Sequence, residues 1–368
     1  MSVVTTKSSR FPILRIVRPA LLVAILCVAY LAFIYLHYQR DDGQWFEFVR
    51  PTPAGSAGYD GQFTYCIALD PTFATSCLDV PAYRYQRILH PILARYVGLL
   101  DAIHIIQAML AINGIMLAVG TLAVGMLLTD AGVSTWFALV YGLFGGVFFA
   151  VRVNTAEPLA YGLVLLAILA GQRDRWWLNA ALLGLAAFAK ETILITTAGY
   201  VLYFAVQRRW WHAVRLVLIS VVPFVIWQFI LRSWFGSFGV GSGGAMATPF
   251  EVIPFMGIWR IGLEFGAAAF VRFGALLLPF VVLPTLWALW QCWREAEKRR
   301  WHPYLFVLFT NAAIMLAVPF STYREPLGIT RFMPGLVIGV VLFAALRRHK
   351  RALMYSTLWI LWGLTLLG

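Results

Sequence analysis

The chain has 368 residues, of which 61% are hydrophobic and only 12% charged, with a mean hydropathy of +0.79. A soluble globular domain carries about 25% charged residues, so a water-soluble fold is excluded. The net charge of +13 comes with no basic-aromatic pattern of the kind that binds RNA or DNA, and anionic lipid headgroups are sufficient partners for it.

A membrane-crossing helix needs about 20 mostly apolar residues. The apolar runs predict an all-α polytopic membrane protein, a single integral membrane domain over residues 1–368 with about eleven transmembrane helices. They fall at 19–38, 102–128, 135–151, 157–171, 177–189, 191–206, 214–233, 270–293, 303–319, 331–346 and 353–367. The first carries basic residues ahead of an apolar core, like a signal peptide. Tyr35-Leu36-His37-Tyr38-Gln39 offers no small-residue cleavage site, so an uncleaved anchor is expected. Lys190-Glu191 interrupts a long apolar run, which leaves either two half-depth helices meeting at a surface or one long broken helix.

With the N-terminus cytoplasmic, the inner segments hold 17 of 29 Lys and Arg, while 12 of 16 Asp and Glu fall outside. That is the positive-inside pattern. It puts two loops outside, a long one at residues 39–101 and a second at 234–269. The long loop contains a predicted short helix through Ile67-Ala68-Leu69, ended by Asp70-Pro71, and an amphipathic stretch from Arg84 to Arg95. On a helical projection Arg84, Arg87 and Arg95 share one face, and Ile88, Leu89, Ile92 and Leu93 cover another. This suits an interfacial helix, with Pro91 as a kink or as its true start. Cys66 and Cys77 share this loop, where an oxidising compartment permits a disulfide; the sequence leaves their Cα spacing open. Cys27 and Cys292 lie in predicted spans and read as filler.

The chemistry-bearing residues gather on the outer side. Asp60 stands among aromatic residues in Tyr59-Asp60-Gly61-Gln62-Phe63-Thr64-Tyr65. Glu157, the pair Lys190-Glu191, and Arg324, Glu325 and Arg331 all flank or interrupt apolar runs. A charge at the bilayer centre costs about 2.5–3.5 kcal/mol on insertion scales, so such residues are rarely idle. Simpler readings exist for each. Glu157 before Pro158 is ordinary helix N-terminal chemistry, Lys190-Glu191 can be an ion pair at a helix end, and the loop arginines can hold headgroups. Independent structural charges would not all collect on one face, however. Asp41, Asp42 and Asp60 offer hard oxygen ligands to magnesium or manganese, but the six histidines show no ligand spacing and no obligatory metal or other cofactor is expected. Gly236 to Gly244 holds five glycines without a following Lys-Ser/Thr, so it reads as a flexible loop or lid rather than a nucleotide loop.

The stretch from Tyr59 to Ala68 resembles the first outer loop of the GT-C superfamily of membrane glycosyltransferases, in particular the mannosyltransferase branch related to GPI-anchor assembly. Ala156-Glu157-Pro158-Leu159-Ala160-Tyr161 and the small-residue run from Leu183 to Thr192 are similar to the same branch, which commonly has arginine where this chain has Lys190. The chain also resembles bacterial membrane proteins linked to cell-surface glycopolymer formation. The likeness covers roughly residues 20–210. It implies about eleven helices, a bacterial inner (plasma) membrane, a polyprenyl-phosphate-linked sugar donor, a glycan or lipid-linked acceptor, and Asp60 as the catalytic carboxylate. An inverting transfer needs one base for the acceptor hydroxyl. Its lipid-phosphate leaving group needs positive charge rather than an acid. Arg84, Arg87, Arg324 and Arg331 are therefore expected phosphate contacts. Lys190 is a candidate substrate contact, though it cannot grip phosphate in the bidentate manner of arginine. Glu157 and Glu191 are expected to orient the acceptor or hold the arginines. Gly61 admits close approach of the sugar, Tyr59 and Phe63 stack on it, Gln62 lies beside it, and Tyr65 reads as an interfacial belt residue. The rival readings are a carrier or flippase for lipid-linked sugars and a non-catalytic subunit.

Overall fold

A computed structural model describes residues 12–38, 59–72 and 74–364, and every regular element among them is helical. The apolar runs dictate this. Without water nearby, a backbone must pair its own N–H and C=O groups, and a helix does so within one segment. Four helices are long and apolar enough to cross a bilayer: Leu14–His37, Ala102–Asp130, Trp210–Phe235 and Ala267–Glu297. Two bent pairs raise the number to six. These are Thr135–Gly142 with Gly145–Arg152, bent by 54°, and Pro326–Phe332 with Pro334–Leu346, bent by 49°. The chain is thus an α-helical membrane protein with four to six helices of spanning length among the described residues. The apolar helices Glu157–Gln172, Trp176–Ala189, Ile193–Val206 and Pro303–Met315 are shorter than the about 20 residues that a full crossing takes.

The breaks have local causes. Pro334 ends the regular hydrogen bonding of the helix before it, because it brings no N–H. The long helices at 210–235 and 267–297 each contain a π-turn, Val217–Val221 and Leu278–Val282, next to Pro223 and around Pro279. A π-turn accommodates the missing donor without ending the span. Gly146 sits where the backbone of Thr330 crosses, so closely that any Cβ there would overlap the Thr330 carbonyl. The two bent pairs are thereby packed directly on one another.

Glu157–Gln172 packs against both Trp176–Ala189 and Ala102–Asp130, and the last of these also carries the N-terminal helix Pro12–Tyr38. In the C-terminal half, Pro303–Met315 lies between Ile193–Val206 and Pro334–Leu346. Pro334–Leu346 is buried along nearly its whole length, as expected for a helix apolar on every side. Cys27 and Cys292 are buried free thiols.

The segment between the helices Pro12–Tyr38 and Ala102–Asp130 supplies the helix Gly61–Leu69, the 3-10 turn Ala74–Cys77, and the helices Pro81–Tyr85 and Leu89–Val97. Asp70 caps the first of these, as expected. Cys66 and Cys77 are joined in a disulfide, with Cα atoms 6.6 Å apart, which settles the pairing the sequence left open. The single amphipathic helix expected from Arg84 to Arg95 is in fact two helices, with Pro91 in the first turn of the second. The break rotates Arg95 away from Arg84 and Arg87, and its guanidinium instead donates to the carbonyls of Ala68 and Leu69 at the end of the preceding helix. Gly236 at φ +75° ends the helix Val222–Phe235, and the helix Met256–Phe265 follows.

Candidate active site

Asp60 immediately precedes the helix Gly61–Leu69, yet its side chain makes no capping hydrogen bond. Its carboxylate turns to two arginines instead. Arg84 Nη1 lies 2.9 Å from Oδ1 and Arg331 Nη2 lies 3.0 Å from Oδ2. Each guanidinium is anchored again on its other side. Arg84 donates through Nε and Nη2 to both oxygens of Asp79, at 2.7 and 2.8 Å. Arg331 Nε donates to Glu157 Oε1 at 2.7 Å. Lys190 Nζ donates to the same Oε1 at 2.5 Å and to the Arg331 carbonyl at 3.1 Å. Beside this chain, Arg87 holds Glu191 in a two-bond fork at 2.8 and 2.7 Å and donates to the Tyr83 hydroxyl at 2.6 Å. Four carboxylates thus face four cations, drawn from segments far apart in sequence.

Local backbone chemistry sets each member in place. The turn between Gly145–Arg152 and Glu157–Gln172 puts Asn154 at φ +53°, a region that Asn tolerates better than most residues. Asn154 and Val153 form the wall against which Gly61 sits. A Cβ at Gly61 would overlap the Val153 carbonyl oxygen and come within 3.0 Å of Asn154 Cβ. Gly61→Ala must therefore shift the backbone next to Asp60. It is expected to destabilise the fold by about 1–3 kcal/mol, the usual cost of overpacking, as read by thermal unfolding in detergent. Lys190 ends its helix in extended conformation, φ −156° and ψ 123°. Extended neighbours point opposite ways, so Lys190 and Glu191 do not pair with each other. One meets Glu157 and the other Arg87.

Burial alone would raise the pKa of Asp60, but the guanidinium charges of Arg331, Arg84 and Arg87 outweigh it and hold the carboxyl well below the usual carboxylate range. Asp79 is lowered too: burial opposes the shift, and the hydrogen bonds and charge of Arg84 drive it. Burial pushes the Tyr59 and Tyr83 phenols up. Arg331 lies 4.8 Å over the Tyr59 ring and Arg84 lies 3.9 Å over the Phe63 ring, so aromatic faces wall the two guanidiniums. The Tyr59 hydroxyl donates to Glu325 Oε1 at 2.5 Å.

Of the residues singled out from the sequence, Tyr59, Asp60, Gly61, Arg84, Arg87, Glu157, Lys190, Glu191 and Arg331 converge here. Gln62 is buried in the first turn of its helix. Arg324 stands apart from the cluster. Its Nη2 lies 3.4 Å from the Met246 carbonyl and its guanidinium is over the Phe320 ring. Tyr65, expected at the interface, is buried against Ala94, Ile105 and Met109. Asp41 and Asp42 lie outside the described residues. Among the described residues, no group of three or more His, Cys, Asp and Glu side chains is placed to hold a metal ion. Asp79 was not anticipated, and its only sequence signal is an acid five residues before Arg84 across the Pro81 turn. Asp79 also accepts from the Ala245 N–H at 3.2 Å, which ties the glycine-rich segment to Arg84. In comparisons with models of protein families, with curated proteins and with solved structures, no match to this chain was found.

Proposed function

We propose that this protein is a membrane glycosyltransferase of the GT-C type. It moves a sugar from a polyprenyl-phosphate donor to an extracytoplasmic glycan or lipid-linked acceptor, in the assembly of a cell-surface glycopolymer. In this reading the chain crosses a bacterial plasma membrane about eleven times with its N-terminus inside. The short helices are part of the design. Trp176–Ala189 has 14 residues, or about 21 Å at 1.5 Å per residue, against a hydrocarbon core of about 30 Å. Helices that stop short place their polar ends within the membrane's depth, and Glu157 and Lys190 stand at such helix ends. Irregular backbone is tolerated at that depth where it lines a protein cavity.

The observation that carries the reading is one carboxylate, Asp60, held between two guanidiniums and only partly exposed, at 31%. In the reaction, Asp60 takes the proton of the acceptor hydroxyl as its oxygen bonds to the anomeric carbon. The bond from that carbon to the donor phosphate oxygen breaks, and its electron pair leaves with the phosphate. Arg84 and Arg331 balance the negative charge growing there, and planar guanidiniums suit phosphate oxygens. Glu157, Lys190 and Asp79 keep those guanidiniums in position.

The test is a transfer assay with purified protein in detergent or vesicles, a set of polyprenyl-phosphate-linked sugars and extracted cell-surface glycan. Formation of a new glycosidic bond is the expected result. Transbilayer movement of intact sugar lipid without bond formation would replace the transferase reading with a carrier.

A further inference from the structure

Every cation in the cluster already has a carboxylate partner. An anionic ligand therefore cannot simply be added; it must replace something. Three observations single out Asp60 as the group replaced. It is the most exposed of the four carboxylates, at 31% against 21% for Asp79, 18% for Glu191 and 1% for Glu157. Each of its oxygens is held by a single guanidinium nitrogen, whereas Asp79 and Glu191 are held in two-bond forks. When Asp60 leaves, both arginines stay fixed, Arg84 by Asp79 and Arg331 by Glu157.

We propose that a phosphate diester binds by exchange: its two free oxygens take the Arg84 Nη1 and Arg331 Nη2 positions that Asp60 holds, and the released Asp60 becomes the proton acceptor. This rests on the transferase reading for the role of Asp60 and on geometry for the exchange itself. It removes a contradiction in that reading. A carboxylate clamped by two guanidiniums is a poor base, and one released next to a phosphate anion is a better one.

The exchange has a pH signature. Free Asp60 carries no proton, because Arg331 and Arg84 hold it ionised against the effect of burial. In the complex those charges are spent on phosphate, so Asp60 takes up a proton as pH falls, and affinity rises with acidity. The neighbouring groups do not mimic this. Tyr59 and Tyr83 are shifted upward and stay neutral. His90, buried below the site, is pushed down to about 4 and stays uncharged above that. Asp79, Glu157 and Glu191 keep their cations, Arg84, Lys190 with Arg331, and Arg87, throughout. Among the described residues, Glu325 meets the cluster through the Tyr59 hydroxyl.

The experiment measures binding of methyl farnesyl phosphate and of dimethyl phosphate to the purified full chain by titration calorimetry. Both probes keep one negative charge across the range used. Asp60→Asn removes the competing anion, so it is expected to bind both probes about tenfold more tightly. Wild-type affinity is expected to rise several-fold from pH 7 to pH 5, and that of Asp60→Asn to stay flat. The wild-type pH series stands even if the variant does not fold. Equal or weaker binding by a folded Asp60→Asn, or pH-independent binding by the wild type, overturns the exchange. So does binding of the farnesyl probe alone with no effect of the substitution, which would mark a tail site. These readouts need no turnover. Tighter binding by Asp60→Asn with no sugar transfer by the wild type would retain the exchange and discard the transferase. Transfer without tighter binding would do the reverse.

Discussion

Asp60→Asn is expected to lower sugar transfer by about 10²–10⁴-fold, the range a positioned general base contributes, while the variant remains folded. The side chain keeps its size, its one amide oxygen can still accept from one of Arg84 and Arg331, and both arginines retain their second carboxylates. What it loses is the ability to take a proton. The pH profile separates this from a merely structural role. In the free protein Asp60 is ionised far below neutrality, and a depressed carboxylate keeps its stabilising ion pairs until pH falls towards its folded value. Hence kcat/KM, which reports the free enzyme, should show no acid limb from Asp60 over about pH 5 to 8, whereas kcat, which reports the complex, should show one. A variant that transfers sugar at the wild-type rate would remove Asp60 from the chemistry, whatever else the cluster does.

The sequence made Asp60, Glu157, Lys190, Glu191 and Arg331 visible for one physical reason: charge beside apolar runs is costly and calls for a partner. It did not name the partners. Lys190 and Glu191 read as a pair because they are adjacent, but the extended backbone at Lys190 sends them to different elements. Arg324 and Arg331 share a short segment and read alike. The helix Pro326–Phe332 buries Arg331 and leaves Arg324 against Met246 and Phe320. Arg95 was grouped with Arg84 by a helical projection that the break after Tyr85 invalidates. Asp79 was invisible because an acid in a polar loop is ordinary; only the fork it makes with Arg84 gives it meaning. Helical character was legible throughout, since it follows from apolar composition. Helix length was not, because the bends at 143–144 and at Met333 depend on packing around Gly146 and Pro334 as much as on local sequence.

Removing the Glu157 carboxylate should have the largest effect on stability. Two readings of this residue predict different magnitudes. As an acid at a helix N-terminus it would contribute about 0.3–1 kcal/mol. As the shared acceptor of Lys190 and Arg331 it is a buried counter-ion, 1% exposed, with cations only 6% and 8% exposed. Breaking a buried pair by deleting one partner costs about 3–5 kcal/mol, because a charge is left uncompensated in a medium that solvates it poorly. Glu157→Gln is expected to fall in the second range in thermal or denaturant unfolding in detergent. Lys190 suffers most. Arg331 keeps Asp60, but Lys190 keeps only the Arg331 carbonyl. Glu157→Gln combined with Lys190→Met should therefore recover much of the loss, with a coupling of about 0.5–3 kcal/mol in a double-mutant cycle. A cost under 1 kcal/mol, or a double variant no better than the single, would return Glu157 to simple capping. The double variant also divides structure from chemistry. It restores charge balance without restoring the brace on Arg331 Nε. Should it fold as well as wild type and still transfer sugar slowly, Glu157 is needed to aim that guanidinium at the phosphate, beyond its part in holding the fold.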